Sequence, residues 1–376
     1  MTGDAVAPFT LHIEDSKLDD LRRRLELTRW PDREVVADWS QGAPLEKVQS
    51  LVEYWRTKYD WRLCEAKLNR FGQFTTRIDG VDIHFLHVRS KHADALPLIL
   101  THGWPGSIVE FIKCIEPLTN PPDARDAFHV VIPSLPGYGF SGKPTEKGWN
   151  VARIAKAWHV LMQRLGYTRY VAQGGDWGAA VTTAMGAQRP QGLAGIHVNM
   201  PLVQPREAVT NPTPPEVRAL EQLAKYVKWE NGYAVQQMTR PQTLGYALAD
   251  SPVGLAAWIY EKFYAWSDNR GSPETTFTQD ELLDNIMLYW LSNSGASSAR
   301  LYWESFRGGF KAIELHLPAG VTVFPKDIYT APRVWCERCM HDLIYFNEAD
   351  RGGHFAAFEQ PELFVGELRK CFRAIR

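Results

Sequence analysis

The stretch Val171-Ala172-Gln173-Gly174-Gly175-Asp176-Trp177-Gly178, followed by Ala179-Ala180-Val181, decides the fold. Apolar residues lead into a run of small residues, and a helix-forming segment follows directly. Glycines at such positions relieve the crowding that arises where a strand turns sharply into a helix. The pattern therefore predicts a strand, a tight turn with Asp176 at its tip, and a helix.

Short apolar segments alternate with helical patterns from residue 75 onward. The helical patterns include Val151–Leu165 and Ala179–Gln188. Alternating strands and helices are typical of an α/β fold with a mostly parallel sheet and helices on both faces. The predicted strands are Phe74–Ile78, Ile83–Val88, Leu96–Thr101, His129–Ile132, Tyr170–Ala172, Gly195–Asn199, Val321–Phe324 and Leu343–Phe346.

Two regions interrupt this alternation. Residues 1–74 have helical patterns and are interpreted as an N-terminal extension that packs on the core, with a first helix expected to begin at Ser16. Residues 204–307 are helical and rich in aromatic side chains, and are expected to form a lid over the carboxyl edge of the sheet. The two parts of the core would then be residues 75–203 and 308–376.

Composition excludes several classes of partner. The 376 residues include 42 basic and 43 acidic side chains, so neither nucleic acid nor an anionic membrane is an expected partner. No signal peptide and no apolar run of about 20 residues is visible, so a cytoplasmic protein is expected. The five cysteines are too few to indicate a disulfide framework, and the Cys336-x-x-Cys339 pair lacks partner ligands at zinc spacing.

Asp176 is the candidate nucleophile. Attack by a carboxylate on an amide or ester would give a mixed anhydride, whereas displacement at the carbon of an alkylating substrate gives an ordinary ester. The alternative is a structural aspartate that caps the following helix. The turn itself is the nucleophile elbow of α/β hydrolases, in which serine is the usual residue.

The segment His102-Gly103-Trp104-Pro105 directly follows the predicted strand Leu96–Thr101. Its turn exposes the backbone amide of Trp104, which together with the amide of Trp177 would form an oxyanion hole. His102 itself is interpreted as a structural residue of this turn.

His354 is the candidate general base. It lies in the glycine-rich loop Arg351-Gly352-Gly353-His354, which precedes an apolar helix near the end of the sequence. This gives the chain order nucleophile, acid, histidine. Asp327, which follows the predicted strand Val321–Phe324, is the preferred acid to orient it, with Asp342 and Glu348 as alternatives.

In this combination of motifs the chain resembles the epoxide hydrolases of the α/β-hydrolase superfamily. The likeness extends over essentially the whole sequence and is strongest to the microsomal-type branch, which has an extra N-terminal segment. Membrane-bound members carry an amino-terminal anchor that is not visible here, which implies a soluble, bacterial-style member. The matching segments are Thr28–Asp32, Pro133–Ser141, Thr239–Thr243 and Asp250–Ile259.

The resemblance implies conversion of an epoxide and water into a vicinal diol through a covalent aspartyl ester. It also implies that Tyr233 and Tyr302, in the lid, hold and protonate the epoxide oxygen. Their phenols stay protonated at neutral pH, as this role requires. No metal or cofactor is expected, the expected partner is a small-molecule epoxide, and a homodimer is inferred from relatives.

Three other functions are compatible with parts of the pattern. A dehalogenase uses the same aspartate, histidine and oxyanion arrangement but does not need paired tyrosines. An ester or lactone hydrolase would need Ser or Cys at the elbow, and a silent binding module would be expected to lose a catalytic group. The aromatic lid favours a bulky or aromatic epoxide, and a role in natural-product biosynthesis is a further hypothesis.

Overall fold

The computed structural model describes residues 5–205, 209–306 and 313–376. Within these ranges, nine strands form a single sheet in the order β1-β2-β3-β5-β4-β6-β7-β8-β9. The strands are β1 (Ala7–Pro8), β2 (Gln73–Ile78), β3 (Val81–Val88), β4 (Leu96–Thr101), β5 (Phe128–Pro133), β6 (Tyr170–Gly174), β7 (Leu193–Val198), β8 (Ala319–Val323) and β9 (Leu343–Glu348).

The sheet is mostly parallel. Strands β4 to β9 run parallel to one another, and β1, β2 and β3 extend the sheet as antiparallel strands beside β5. The chain passes from β4 to β5 on one side and then crosses to β6 on the other side of β4. Ligands of open α/β sheets bind beyond the carboxyl ends of the strands at such a switch point, so the ends of β4 and β6 are where a site is expected.

Fifteen α-helices accompany these strands in the described residues. They are α1 (Asp15–Glu26), α2 (Leu45–Thr57), α3 (Trp61–Asn69), α4 (Ile112–Thr119), α5 (Val151–Arg164), α6 (Trp177–Gln188), α7 (Pro214–Lys225), α8 (Gly232–Thr239), α9 (Pro241–Asp250), α10 (Pro252–Trp266), α11 (Gln279–Leu291), α12 (Gly295–Phe306), α13 (Arg333–Cys339), α14 (Ala356–Glu359) and α15 (Pro361–Phe372). Helices α5 and α6 pack together on the sheet, as do α4 and α15. This is the α/β-hydrolase fold that the alternating pattern predicts.

Helices α7 to α12 lie between β7 and β8 in the chain, and we call them the helical insertion. Thr213 caps the first of them, α7. The side chains of Thr213 and Glu216 form a reciprocal capping box, and Pro214 is at the first helical position. Helices α10 and α11 bury a broad apolar surface, and each contributes residues that are fully enclosed. Buried residues of the insertion and of the sheet belong to one continuous core.

The N-terminal helices pack mainly on the insertion. Helices α1 and α2 contact α10, and α2 and α3 contact α11. The ring of Trp39 stacks on Tyr264 of α10 with 3.9 Å between centroids. Asp284 of α11 is buried and accepts hydrogen bonds at 2.9 Å from both Tyr59 and Lys67. The extension therefore connects the edge of the sheet, through β1, to the insertion.

Two local features of the N-terminal segment differ from the expected pattern. Ala7 and Pro8 form a short edge strand paired with β2, where proline is tolerated because the outer edge needs no donor. Helix α1 begins at Asp15 after Glu14 rather than at Ser16, and no side chain caps it. The expected boundary at residues 307 and 308 lies outside the described residues.

The five cysteines are all buried. Within the described ranges, no helix is both long and apolar enough to cross a membrane.

We predict that Asp284→Ala destabilises the protein by about 2–3 kcal/mol, because it leaves a buried hydroxyl and an ammonium group without their acceptor. Asp280→Ala is the matched control: one turn earlier on α11, it removes the exposed acceptor of Tyr54 and should cost less than about 1 kcal/mol. Equilibrium urea unfolding measures both. Equal losses would show that the buried contact does not anchor the N-terminal helices.

Candidate active site

The ends of β4 and β6 bring the first two motifs together. Thr101, the last residue of β4, pairs with Gly174, the last residue of β6. The chain beyond Thr101 therefore turns directly beside the chain that reaches Asp176. The backbone amide of Trp104 donates a hydrogen bond of 2.8 Å to Oδ1 of Asp176. A predicted oxyanion-hole amide thus already contacts the candidate nucleophile.

Asp176 has a strained backbone conformation, with φ 53° and ψ −126°. Such a conformation costs on the order of 1–3 kcal/mol in a residue other than glycine. Two positions close to Asp176 in space must be glycine, because the segments after β4 and β6 approach closely. A Cβ on Gly178 would lie 1.9 Å from the carbonyl oxygen of Thr101, and one on Gly103 would lie 2.2 Å from Oδ1 of Asp176. The turn therefore fixes the carboxylate at the edge of the sheet.

The loop after β8 and the loop after β9 bring Asp327 and His354 side by side. Lys326 and Gly353 form a parallel bridge, so the residues that follow them are neighbours. Nδ1 of His354 donates to Oδ1 of Asp327 at 2.8 Å, and its Nε2 lies 3.4 Å from Oδ2 of Asp176. The three side chains thus form a line with the imidazole in the middle.

This arrangement distinguishes Asp327 from the two alternatives. Asp342 precedes β9, and its carbonyl oxygen accepts from the amide of Ala319 at the opposite edge of the sheet. Glu348 is the last residue of β9, and its side chain is exposed to solvent. Of the three acids considered, Asp327 is the one whose carboxylate hydrogen-bonds the imidazole.

The charges of the two aspartates dominate the electrostatics of His354. Burial alone would lower the pKa of the imidazole, but the charge of Asp327 and the interactions with Asp176 outweigh it and raise the pKa to about 10. His354 is therefore a cation at neutral pH as long as Asp176 carries its negative charge.

Tyr233 of α8 and Tyr302 of α12 face the same centre. The ring of Tyr233 stacks on Trp104 with 5.0 Å between centroids, and the ring of Tyr302 meets the edge of Trp177 at 4.7 Å. Both tyrosines are buried, and burial raises the pKa of each phenol well above its usual value. The insertion therefore places two neutral phenol rings against Trp104, in the turn after β4, and Trp177, in the elbow.

Side chains of α11 secure the turn that carries Trp104. Asn285 donates to the carbonyl oxygen of Pro105 at 2.8 Å, and Tyr289 donates to that of Gly106 at 2.7 Å. His102 is buried between the carbonyl oxygen of Gly103 and the backbone amide of Leu135, and burial lowers its pKa to about 4. This geometry fits the structural role expected for His102.

Three residues near the centre had no assigned role in the sequence analysis. The hydroxyl of Tyr226 lies 3.0 Å from that of Tyr233, and the ammonium of Lys262 lies 4.7 Å from the centroid of the same ring. Glu110 is buried, with its carboxyl group in front of Gly106. None belongs to a motif of fixed spacing. A buried lysine or glutamate looks like a surface residue until its neighbours in space are known.

The described residues include one group whose side chains could hold a metal ion. Ligand atoms of Glu314, His316 and His341 lie within 4.8 Å of one another, and all three residues are exposed. They precede β8 and β9, whereas Asp327 and His354 follow these strands. The group is therefore at the opposite edge of the sheet and takes no part in the candidate site.

The fold and the centre define an α/β hydrolase with an aspartate at the elbow. Comparison with known families agrees with this class. A model described as "Epoxide hydrolase N terminus" matches residues 6–111, and one described as "alpha/beta hydrolase fold" matches residues 97–244.

Similar proteins extend the match over the whole chain. A putative epoxide hydrolase of Stigmatella aurantiaca is 61% identical over 99% of this chain and 86% of its own. Epoxide hydrolase 1 of Sus scrofa is 37% identical over 98% of this chain and 88% of its own. The solved structure of the Aspergillus niger epoxide hydrolase has a TM-score of 0.91 at 33% identity, covering 100% of this chain and 97% of that one.

The juvenile hormone epoxide hydrolase of Bombyx mori has the same TM-score of 0.91, at 32% identity and with 99% and 95% coverage. The chain therefore belongs to the epoxide hydrolases of the α/β-hydrolase superfamily, in the microsomal-type branch with the extra N-terminal segment. The resemblance inferred from the motifs is confirmed.

We predict that Asp176→Asn lowers the pKa of His354 by about 1–3 pH units, because an opposite charge next to the imidazole is removed. Histidine labelled with 15N and followed by NMR over a pH titration measures this change. Asp268→Asn is the control, since Asp268 contacts the amide of Gly352 in the same loop but not the ring. An unchanged pKa in Asp176→Asn would contradict the electrostatic coupling.

Proposed function

We propose that the enzyme hydrolyses its epoxide through a covalent ester on Asp176. The observation that carries this proposal is the line of Asp176, His354 and Asp327, with Nδ1 and Nε2 of the imidazole directed at one carboxylate each. A carboxylate at the elbow serves as nucleophile toward carbon, and a histidine next to it serves the later hydrolysis.

In the first step, an oxygen of Asp176 attacks one carbon of the epoxide ring. A carbon–oxygen bond forms to the carboxylate as the ring carbon–oxygen bond breaks. Tyr233 and Tyr302 hold the epoxide oxygen, and one of them gives it a proton as the ring opens and is left as a phenolate. Their burial supports this role, because phenols with a raised pKa remain protonated at the working pH.

In the second step, water attacks the carbonyl carbon of the ester. Esterification removes the negative charge of Asp176 and lowers the pKa of His354. The imidazolium then gives up a proton, which restores the tyrosine that protonated the epoxide oxygen, and His354 becomes the neutral base. His354 takes a proton from the water while Asp327 orients and stabilises the imidazolium. When the tetrahedral intermediate collapses, the bond to the diol oxygen breaks and His354 passes the proton it took from the water to that oxygen. The remaining carboxylic proton then passes to His354, and this restores the carboxylate of Asp176 and the imidazolium.

The amides of Trp104 and Trp177 form the oxyanion hole in this proposal. The hydrogen bond of 2.8 Å from Trp104 to Oδ1 of Asp176 supports it, since the same oxygen carries the developing charge in the tetrahedral intermediate. The donor is in place before the reaction begins.

The helical insertion acts as the lid in this proposal, and its aromatic lining favours a bulky or aromatic epoxide. Tyr233 and Tyr302 come from two different helices of the insertion, so closure over the sheet completes the site. A natural-product substrate, a cytoplasmic location and a homodimer stay predictions.

The first test incubates the purified protein with styrene oxide, bulkier epoxides and a set of haloalkanes, and follows diol and halide. We expect diol without halide, and a loss of diol formation of at least about 10⁴-fold in Asp176→Ala, because the nucleophile is absent. Diol formation at the wild-type rate in this variant would rule out the aspartyl ester. Halide without diol would make the enzyme a dehalogenase.

The second test uses His354→Gln, in which ester formation should persist while its hydrolysis stalls. Intact-protein mass spectrometry after a single turnover should then show the protein with one substrate attached. His316→Gln, at an exposed histidine on the opposite edge of the sheet, should accumulate no adduct. A folded His354→Gln protein that turns over without an adduct would exclude His354 as the base.

A further inference from the structure

A small cavity lies against the side of the reacting centre. It has a volume of about 20 Å³ and is lined by Asp176 and His354 together with Gln173 and Glu110. A cavity needs roughly 10–15 Å³ to contain one water molecule, which in turn needs two to four polar partners. This space is therefore the right size for a single water and has polar groups around it.

The side chain of Gln173 is an independent indication that the cavity binds a hydrogen-bond donor. Its side chain is 1% exposed, and its Nε2 donates to Oδ1 of Asn199 at 2.7 Å. Its Oε1 is buried and has no hydrogen-bond partner among the described residues. An unpaired buried acceptor destabilises the folded state, so a donor in the cavity that Gln173 lines would stabilise the folded enzyme.

Glu110 reaches the cavity from a short 3₁₀ turn at Ile108–Phe111. Its carboxyl group occupies the space in front of Gly106, where a Cβ would lie 1.6 Å from Oε1 of Glu110. Burial raises the pKa of Glu110 to about 8. The carboxyl group is therefore mostly neutral at neutral pH, and as a neutral acid it can both donate and accept a hydrogen bond.

We propose that this cavity binds the water that hydrolyses the Asp176 ester, and that Glu110 and Gln173 are the residues that position it. The inference rests on the proposed aspartyl ester. The water then lies between the carbonyl carbon of the ester and Nε2 of His354. Its proton passes to Nε2 as its oxygen bonds to carbon, so Glu110 and Gln173 orient it without taking part in bond changes.

The test is a single-turnover experiment with styrene oxide that measures ester formation and ester hydrolysis separately by rapid quench and mass spectrometry. Glu110→Leu removes both hydrogen-bonding functions at similar volume. We expect hydrolysis to slow at least tenfold while ester formation stays within about threefold of wild type. Glu110→Gln, which keeps a neutral donor and acceptor, should restore hydrolysis to within about threefold.

Glu359→Gln is the matched control, because Glu359 is a half-buried glutamate near His354 that accepts from the amides of Phe355 and Asp268 and does not line the cavity. It should change both steps by the same factor. Unaltered hydrolysis in Glu110→Leu, or equal slowing of both steps, would overturn the positioning role. Failure of the wild-type enzyme to form any ester would instead refute the aspartyl ester, and this inference with it.

Two further measurements do not depend on the folding of Glu110→Leu. Gln173→Met should also slow hydrolysis more than ester formation. A crystal structure of the wild-type enzyme at about 1.8 Å or better should show an ordered water within hydrogen-bond distance of Glu110 and of His354. An empty cavity in that map would contradict the proposal, and so would fast hydrolysis in Gln173→Met.

Discussion

The site depends on the close approach of two backbones, at the carboxyl ends of β4 and β6. The pairing of Thr101 with Gly174 sets the distance between the two chains, and glycine at Gly103 and Gly178 lets them meet without side chains between them. This contact brings the amide of Trp104 to the carboxylate of Asp176. It also maintains the strained conformation of Asp176, because β6 before it and α6 after it are both held in place by the sheet and its packing.

The three charges at the centre form a second constraint. His354 between Asp176 and Asp327 is a stabilised cation, and the loss of one carboxylate charge would make it a base. In the proposed mechanism the chemistry itself produces this change, since forming the ester neutralises Asp176. The contacts of His354 with Asp176 and Asp327 thereby account for both states. In the resting enzyme the two carboxylates stabilise the imidazolium, and in the ester intermediate the imidazole is free to accept a proton from water.

The parts of the molecule that were predictable from sequence carry a local signal. The elbow around Asp176, the turn at His102–Pro105 and the glycine-rich loop before His354 have residue types that backbone geometry demands. The strands of the parallel sheet were also found, because buried strands are continuous apolar runs. By contrast, the two-residue strand at Ala7–Pro8 has no such run, and Ser16 resembles a helix cap although the helix begins before it.

The sequence by itself determined the class of the protein, the order of its motifs and the candidates Asp176 and His354, since each lies in a motif formed by neighbours in the chain. Only the tertiary structure decided between Asp327, Asp342 and Glu348, because that choice depends on the bridge between Lys326 and Gly353. It also decided that the N-terminal helices pack on the insertion. The environment of Glu110 likewise arises from residues far apart in sequence, and contacts of this kind leave no periodicity for a pattern to detect.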